Sequence, residues 1–242
     1  MKLIIDIGNT RIKAAIFEQK SRVNSYSFET VEELKKKAIF KGHKITHCMV
    51  ATVVTETEEL MRYLQPFVKP VLFTSQTPLP IKNLYKSPAT LGSDRLLAAV
   101  GANAKYRDTN LLVIDVGTCV KYNFVNHKNE FIGGGISPGL QMRFTAVHFQ
   151  TSRLPFVSPD DNYNQLVGTN TNESILSGIQ YGIIAEVDGV IDQYRSLYNN
   201  LTVVLTGGDF NFFAKRLKNS IFADQFLILK GLNEILDTVI NE

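Results

Sequence analysis

The order of apolar and polar positions predicts a chain in which strands and helices alternate. Short apolar runs rich in β-branched residues predict strands, and apolar residues three or four positions apart predict amphipathic helices. The predicted strands cover residues 3–7, 12–17, 22–28, 44–54, 71–73, 201–205 and 226–229, with a further strand pair over 111–125. The predicted helices cover residues 30–40, 56–64, 96–105, 138–150, a long stretch from 171 or 172, then 210–217 and 232–240. Residues 74–92 and 151–170 are rich in loop-forming residues, and the three glycines Gly133–Gly135 allow a ligand or another backbone to come very close.

The first predicted hairpin collects polar groups that suit a bound phosphate. Its turn carries a carboxylate, small residues with accessible backbone N–H groups, a hydroxyl and two cations. These residues are Asp6, Gly8, Asn9, Thr10, Arg11 and Lys13. The alternative is an ordinary hairpin with a polar turn, and this stretch alone does not decide between the two.

A second copy of the pattern favours the phosphate interpretation. Shifted by 109 positions, Ile5–Gly8 falls on Ile114–Gly117, and Asn9 falls on Thr118. Two apolar strands that both end in Asp-x-Gly indicate a duplicated unit, although chance repetition remains the alternative. In this alignment Lys13 falls on Tyr122, which predicts that only the first hairpin carries a cation for phosphate.

Composition excludes several classes of protein. The 242 residues suffice for one large domain or two lobes, and the net charge is only +3 with both signs interspersed. This pattern argues against a nucleic-acid-binding protein, and no apolar run predicts a membrane span. The N-terminus enters a strand directly, so we expect no signal peptide, a cytoplasmic location, and reduced thiols at Cys48 and Cys119.

Six motifs in order resemble those of the type III pantothenate kinases, a family of the actin-like ATPase and sugar-kinase superfamily. Each motif is short, and the specificity lies in their order over residues 6–209. The matching positions are Asp6-x-Gly8-Asn9-Thr10-x-x-Lys13; Tyr85, Pro88, then Gly92-x-Asp94-Arg95; Asp115-x-Gly117-Thr118; Gly133–Leu140; Gly168, Thr171, Ser177 and Gly178; and Thr206–Asp209. The chain departs from the family pattern at Cys119, where a small residue is common, and at Asn123, where Asp is common.

The resemblance implies an α/β fold of duplicated actin-like (ribonuclease H-like) lobes, each a mixed central sheet with flanking helices, with the active site in the cleft between them. We place the lobes at residues 1–108 and 109–242. The implied reaction is ATP-dependent phosphorylation of the primary hydroxyl of pantothenate, the first step of coenzyme A biosynthesis.

The resemblance also assigns roles to individual residues. Asp94 would accept the hydroxyl proton, and Asp6 would orient Mg²⁺ through water. Asp115 would hold a monovalent cation, K⁺ or NH₄⁺. The nucleotide phosphates would contact Asp6, Ile7, Gly8, Asn9, Thr10, Arg11, Ile12, Lys13 and Thr118. The substrate would contact Tyr85, Gly92, Ser93, Asp94, Arg95 and Thr171. Arg95 would hold either a substrate carboxylate or a phosphate.

The resemblance further implies a homodimer, and the long helix from residue 171 or 172 carries more apolar residues than one buried stripe needs. Two other functions stay open from the sequence. One is a kinase for another small hydroxylated metabolite, and the other is a non-catalytic regulator of the transcription-accessory type that keeps the kinase fold. Retention of Asp6, Lys13 and Asp94 together favours the enzyme.

Overall fold

The computed structural model describes residues 1–8, 11–37, 39–40, 42–52 and 57–241. Over these residues the chain forms strands, α-helices and a short 3₁₀ turn at Pro88–Thr90. The strands are β1 (Lys2–Ile7), β2 (Ile12–Glu18), β3 (Ser21–Phe28), β4 (His47–Thr52), β5 (Pro70–Leu72), β6 (Lys82–Asn83), β7 (Asn110–Val116), β8 (Cys119–Val125), β9 (Glu130–Pro138), β10 (Leu201–Thr206) and β11 (Phe222–Ala223). The helices are α1 (Val31–Lys36), α2 (Glu58–Leu64), α3 (Ser93–Lys105), α4 (Leu140–Phe149), α5 (Thr171–Leu197), α6 (Phe210–Ala214) and α7 (Leu227–Asn241).

The chain divides into two compact units, and the first is discontinuous. The first unit contains Met1–Lys105 and Phe226–Glu242, and the second contains Tyr106–Gln225. Each unit contains a sheet with helices, so the predicted α/β class is confirmed. The last residues differ from the expected division, which placed all of 109–242 in one lobe, because α7 packs on α3 and β1 of the first unit.

The sheet of the first unit has the order β3-β2-β1-β4-β5. Strands β1, β2 and β3 are antiparallel neighbours, whereas β4 runs parallel to β1 and to β5. Residues Leu3, Ile4 and Ile5 of β1 are fully buried, as expected for a central strand flanked on both faces. This buried strand fixes the position of Asp6 at its carboxyl end.

Helices α3 and α7 approach each other closely because glycines lie at their contact. A β-carbon on Gly101 would lie 2.1 Å from the Leu227 carbonyl oxygen, and one on Gly231 would lie 2.0 Å from the Leu97 oxygen. An ion pair between Lys2 and Asp237, at 2.6 Å, also joins β1 to α7. The predicted strand at 226–229 is therefore wrong: this short apolar run mostly forms the first turn of α7.

The sheet of the second unit contains the order β11-β10-β7-β8-β9. Strand β9 runs through Gly133–Gly135, where the sequence predicted the close approach of a ligand or another backbone. Gly134 has φ +147°, and a β-carbon there would lie 1.8 Å from the Tyr122 carbonyl oxygen. The glycines therefore allow the backbone of β8 to come very close, which confirms that prediction. The strand continues to Pro138, so α4 begins at Leu140 and Pro138 does not open the helix as predicted.

Helix α5 is the long helix predicted from the sequence, and it has a well-formed start. The Asn170 side chain accepts a hydrogen bond from the Glu173 amide at 3.0 Å, and the Glu173 carboxylate accepts one from the Thr169 amide at 2.8 Å. The helix is long and apolar enough to cross a membrane by length and composition. Its Ile183 and Val187 are fully buried in the core of the second unit, which is the pattern of a core helix.

Candidate active-site residues

The first hairpin places a carboxylate and an ammonium group opposite each other. Asp6 and Lys13 are direct cross-strand partners on β1 and β2, so their side chains lie on the same face of the sheet. The Gly8 amide donates to the Arg11 carbonyl oxygen at 3.0 Å and closes the turn. The predicted phosphate contacts Asn9 and Thr10 lie outside the described residues.

The other hairpin positions differ in what they can offer a ligand. Ile7 and Ile12 are each 5% exposed, so only their backbone groups are available at the hairpin end. The Arg11 guanidinium is exposed and binds the Ser27 hydroxyl at 3.3 Å and the Glu29 carboxylate at 3.4 Å. Lys13 is half-buried and directly opposite Asp6, which makes it the better placed cation of the two.

A second group of predicted residues meets at the start of α3. Asp94 lies in the first helical turn, where the helix dipole favours a negative charge. Its Oδ1 accepts a hydrogen bond from the Arg95 amide at 2.9 Å. The Arg95 side chain is 5% exposed, and its guanidinium carbon lies 5.4 Å from the centre of the Tyr85 ring, which is within cation–π range. Three of the predicted substrate-binding residues are therefore brought together.

Gly92 and Ser93 shape the approach to this carboxylate. A β-carbon at Gly92 would lie 2.7 Å from Asp94 Oδ1, so any larger residue would move the carboxylate. The Gly92 carbonyl oxygen accepts a hydrogen bond from the Arg95 amide at 3.1 Å, and Ser93 is the first residue of α3. The backbone thus holds Asp94 in a defined orientation, beside the space that a side chain at position 92 would fill.

The second hairpin corrects one sequence-based prediction. The cross-strand partner of Asp115 is Lys121, and not Tyr122 as the ungapped repeat implied. The turn of this hairpin is one residue shorter: three residues lie between the paired Val116 and Val120, whereas four lie between the paired Ile7 and Ile12. Lys121 Nζ donates to Asp115 Oδ2 at 2.9 Å. In both hairpins an Asp and a Lys are therefore cross-strand partners. A gap of one residue in the alignment of the two copies would have revealed this symmetry.

Two neighbouring turns pack against the tip of the second hairpin. The Gly139 amide donates to the Thr118 carbonyl oxygen at 3.0 Å, and the Asp209 amide donates to the Val116 oxygen at 3.0 Å. A β-carbon on either Gly139 or Gly207 would lie 2.1 Å from a hairpin carbonyl oxygen, and Gly207 has φ +110°. Thr118 itself is exposed at the tip. The hairpin tip is held rigidly while the Thr118 side chain stays accessible.

A polar cluster that the sequence did not reveal fixes one of these turns. Glu186 on α5 accepts hydrogen bonds from the Tyr122 hydroxyl at 3.0 Å and from the Arg143 guanidinium. Arg143 also donates to the Ser137 hydroxyl at 2.9 Å and to the Pro138 carbonyl oxygen at 3.0 Å. Partial burial by itself raises the pKa of Glu186, but the bonds from Arg143, Ser137 and Tyr122 outweigh it and lower the pKa below its ordinary value. No spacing in the sequence indicates this cluster, because its members lie on four different elements.

A cavity of about 290 Å³ opens beside the Thr206–Asp209 motif. Gly208, Asp209 and Asp161 line it, together with Gln141 at the start of α4. Burial and the negative charges of Asp161 and Asp115 raise the pKa of Asp209 above its ordinary value. The glycine turn and this cavity suit the adenosine side of a nucleotide.

Thr171, the remaining predicted substrate contact, lies apart from these turns. It is the first residue of α5 and lies at an open, largely apolar hollow of about 540 Å³ that Leu154 and Ile175 also line. Among the described residues no group of three or more His, Cys, Asp or Glu side chains is arranged to hold a metal ion. Mg²⁺ bound through nucleotide phosphates and one carboxylate, such as that of Asp6, does not require such a group.

The fold is that of the actin-like ATPase and sugar-kinase class, as solved structures show. A putative Baf family transcriptional activator from Campylobacter jejuni matches 99% of this chain and 100% of its own, with a TM-score of 0.64 and 17% identity. A ROK hexokinase from Thermus thermophilus matches 98% of this chain and 99% of its own, with a TM-score of 0.52 and 13% identity. At these identities the likeness concerns the fold.

Sequence comparison identifies the family within this class. The family profile described as type III pantothenate kinase matches residues 2–193. A type III pantothenate kinase from Flavobacterium johnsoniae is 40% identical over 97% of this chain and 96% of its own, and one from Bacteroides fragilis is 42% identical over 98% of each. The chain belongs to the type III pantothenate kinase family, which confirms the resemblance inferred from the six motifs.

Proposed function

We propose that the protein transfers the γ-phosphoryl group of ATP to the primary hydroxyl of pantothenate, the first step of coenzyme A biosynthesis. Family membership supports the substrate and implies ATP with a divalent metal ion. The observation that carries the proposal is the arrangement of Asp94 with Arg95 and Tyr85. This arrangement holds a carboxylate in a fixed orientation beside a buried guanidinium.

The first unit supplies the groups for proton transfer and charge neutralisation. Asp94 accepts the proton of the attacking hydroxyl, and Gly92 leaves room for that hydroxyl to approach. Arg95 and Tyr85 orient the substrate through a guanidinium and a phenol. Lys13 neutralises charge on the transferred phosphoryl group, and Asp6 orients Mg²⁺, which supplies further charge neutralisation when bound.

The second unit supplies groups for the nucleotide. Thr118, exposed at its hairpin tip, contacts the nucleotide, and the cavity beside Gly208 and Asp209 takes its adenosine side. The resemblance also implies a monovalent cation at Asp115. The residues present do not fit such an ion, because the Lys121 ammonium already binds Asp115 Oδ2.

We further propose a cytoplasmic homodimer. Apolar side chains of the second unit remain exposed, among them Phe149 at 74%, Val167 at 74% and Leu197 at 73%. Phe149 ends α4, Val167 precedes α5 and Leu197 ends α5, and α5 contributes to the proposed interface because it carries more apolar residues than one buried stripe needs. Thr171 lies at the start of α5, where it contacts the substrate. Light scattering at micromolar concentration should give the dimer mass, and the mass of a monomer would contradict this assembly.

An assay that couples ADP release to a spectroscopic signal tests the activity. Wild-type protein should release ADP only when pantothenate is present. Asp94→Asn should lower kcat by about 10²–10⁴-fold, the usual contribution of a general base, with a smaller change in KM. Asp192→Asn is the matched control, since Asp192 pairs with the exposed Lys218 at 2.9 Å and contacts none of the proposed site. An Asp94→Asn enzyme with wild-type kcat would remove Asp94 from the mechanism.

Family membership does not favour the two other functions. A kinase for another metabolite would release ADP with a different hydroxylated substrate and not with pantothenate. A non-catalytic regulator would release no ADP with any substrate. Retention of Asp6, Lys13 and Asp94 supports the enzyme, because a binding module has no need of all three side chains.

A further inference from the structure

We propose that the Lys121 side chain takes the place of the monovalent cation that family resemblance implies at Asp115. The protein would then transfer phosphate without K⁺ or NH₄⁺. This inference rests on the proposed kinase function, and its test is designed so that the two can fail separately.

The geometry of the second hairpin places the ammonium group on the carboxylate. Lys121 and Asp115 are direct cross-strand partners, and Lys121 Nζ lies 2.9 Å from Asp115 Oδ2. The side chains are only 20% and 10% exposed. An ion pair this sheltered from water is screened much less than a surface pair, so the ammonium stays close to the carboxylate.

A lysine ammonium can supply the same charge to Asp115 as a bound monovalent cation. A lysine ammonium and a bound K⁺ or NH₄⁺ ion each carry one positive charge. The lysine ammonium can donate up to three hydrogen bonds, so it can serve Asp115 and a further acceptor together. A buried carboxylate needs a compensating charge, and Lys121 provides it from within the chain. Lys121 Nζ already binds one oxygen of this carboxylate, Oδ2.

The neighbouring position supports the same conclusion. Asn123 lies two residues after Lys121 on β8, and its cross-strand partner Val113 lies two residues before Asp115 on β7. Positions two apart along a strand share a face, so Asn123 lies on the same face as the ion pair. It is fully buried and carries a neutral amide where the family pattern commonly has Asp. Only Asp115 contributes a negative charge to this part of the hairpin, and Lys121 balances it.

The first test compares salts with the wild-type protein. ADP release with pantothenate is measured in KCl, NH₄Cl and choline chloride at equal ionic strength, with ATP supplied free of K⁺ and NH₄⁺. The expected rates agree within about twofold, since no cation-dependent interaction is lost. A rate in KCl or NH₄Cl about tenfold or more above that in choline chloride would overturn the proposal.

Two substitutions of Lys121 extend the test. Lys121→Ala removes the ammonium and opens space, so its activity in choline chloride should fall about tenfold or more and recover in KCl or NH₄Cl. Lys121→Arg keeps the charge and should remain independent of K⁺. Lys218→Ala is the matched control, because it removes another lysine that pairs with an Asp at 2.9 Å, and it should behave as wild type. A Lys121→Ala enzyme with wild-type activity in choline chloride would contradict the proposal.

Thermal unfolding separates this inference from the proposed function. KCl should raise the melting temperature of Lys121→Ala by about 5 °C over choline chloride, because the ion binds only the folded state. The wild-type protein should show no such difference. If the wild type turns over no pantothenate in any salt but this difference appears, the kinase proposal fails and the role of Lys121 stands. If K⁺ stabilises the wild type equally, the role of Lys121 fails. If Lys121→Ala does not fold, the wild-type and Lys121→Arg rates decide the matter.

Discussion

The contact between α3 and α7 makes Gly101→Ala a sharp test of how the first unit is held together. A β-carbon at position 101 would lie 2.1 Å from the Leu227 carbonyl oxygen, whereas real β-carbons essentially never come closer than 3.0 Å. The helices would have to separate by at least about 0.9 Å, since the obstacle is backbone and cannot rotate away. Overpacking of this kind costs about 1–3 kcal/mol, and the forced movement of backbone places the cost at the upper end.

The helix propensity of alanine opposes this loss. Replacement of glycine by alanine inside a helix contributes about 1 kcal/mol of stability, so the net loss is about 2 kcal/mol. For a chain of this size the melting temperature should fall by about 4–8 °C. Differential scanning calorimetry would measure this, with circular dichroism to confirm that the variant folds.

Gly189→Ala provides the matched control within α5. A β-carbon there would meet nothing within 4 Å, so only the gain in stability from the helix propensity of alanine remains. The melting temperature of this variant should rise by about 2–4 °C. Equal rises for Gly101→Ala and Gly189→Ala would refute the close approach of α3 and α7.

Four further substitutions test the charges and the cap. Asp209→Asn should stabilise the unliganded protein at pH 7, because the raised pKa of Asp209 means that its ionised form is disfavoured on folding. The gain in stability should vanish as the pH falls through the ordinary Asp range, and a gain that is constant with pH would contradict this reasoning. Asp237→Asn should do the opposite: burial raises the pKa of Asp237, but the bonds from Lys2 and Lys20 lower it overall. The variant should lose about 1 kcal/mol at pH 7, and in urea titrations this loss should shrink as the pH falls below the ordinary Asp range. Asn170→Ala should cost about 1 kcal/mol by removing the cap of α5, and a Ser replacement should restore most of it. Glu186→Gln should weaken the contact with Arg143 and raise KM for ATP about threefold or more, with little change in kcat. An unchanged KM would show that the polar cluster around Glu186 does not position the second hairpin (β7 and β8) for the nucleotide.

Much of the fold could be predicted because hydrophobic periodicity is strong in long elements. The buried strand at Leu3–Ile5 and the apolar stripe of α5 gave clear signals. The run at 226–229 failed because four apolar residues satisfy a strand and a helix equally. Its helical state depends on packing against Gly101, which lies far away in sequence.

Sequence motifs name the candidate site residues, but they do not predict which of these residues pair. Asp94 and Asp115 follow from motifs, whereas the Asp115–Lys121 pair depends on strand register. Register is set by turn length, and a shift of one residue turns each side chain to the opposite face. The glycines of β9 predicted a close approach but not its partner, because the pairing with β8 also depends on strand register.

The discontinuity of the first unit has a consequence for how the protein is made. The second unit is a single uninterrupted stretch, Tyr106–Gln225, so all of it is synthesised before α7. The first unit lacks α7 until residues 227–241 have been made, and until then β1 and α3 expose the apolar surfaces that α7 covers. Domains fold as units during synthesis, so the later part of the chain should reach its native structure before the earlier part. A nascent chain stalled on a linker that follows residue 225, long enough to bring Gln225 out of the ribosome, should therefore have a protease-resistant second unit while the first unit is still cleaved.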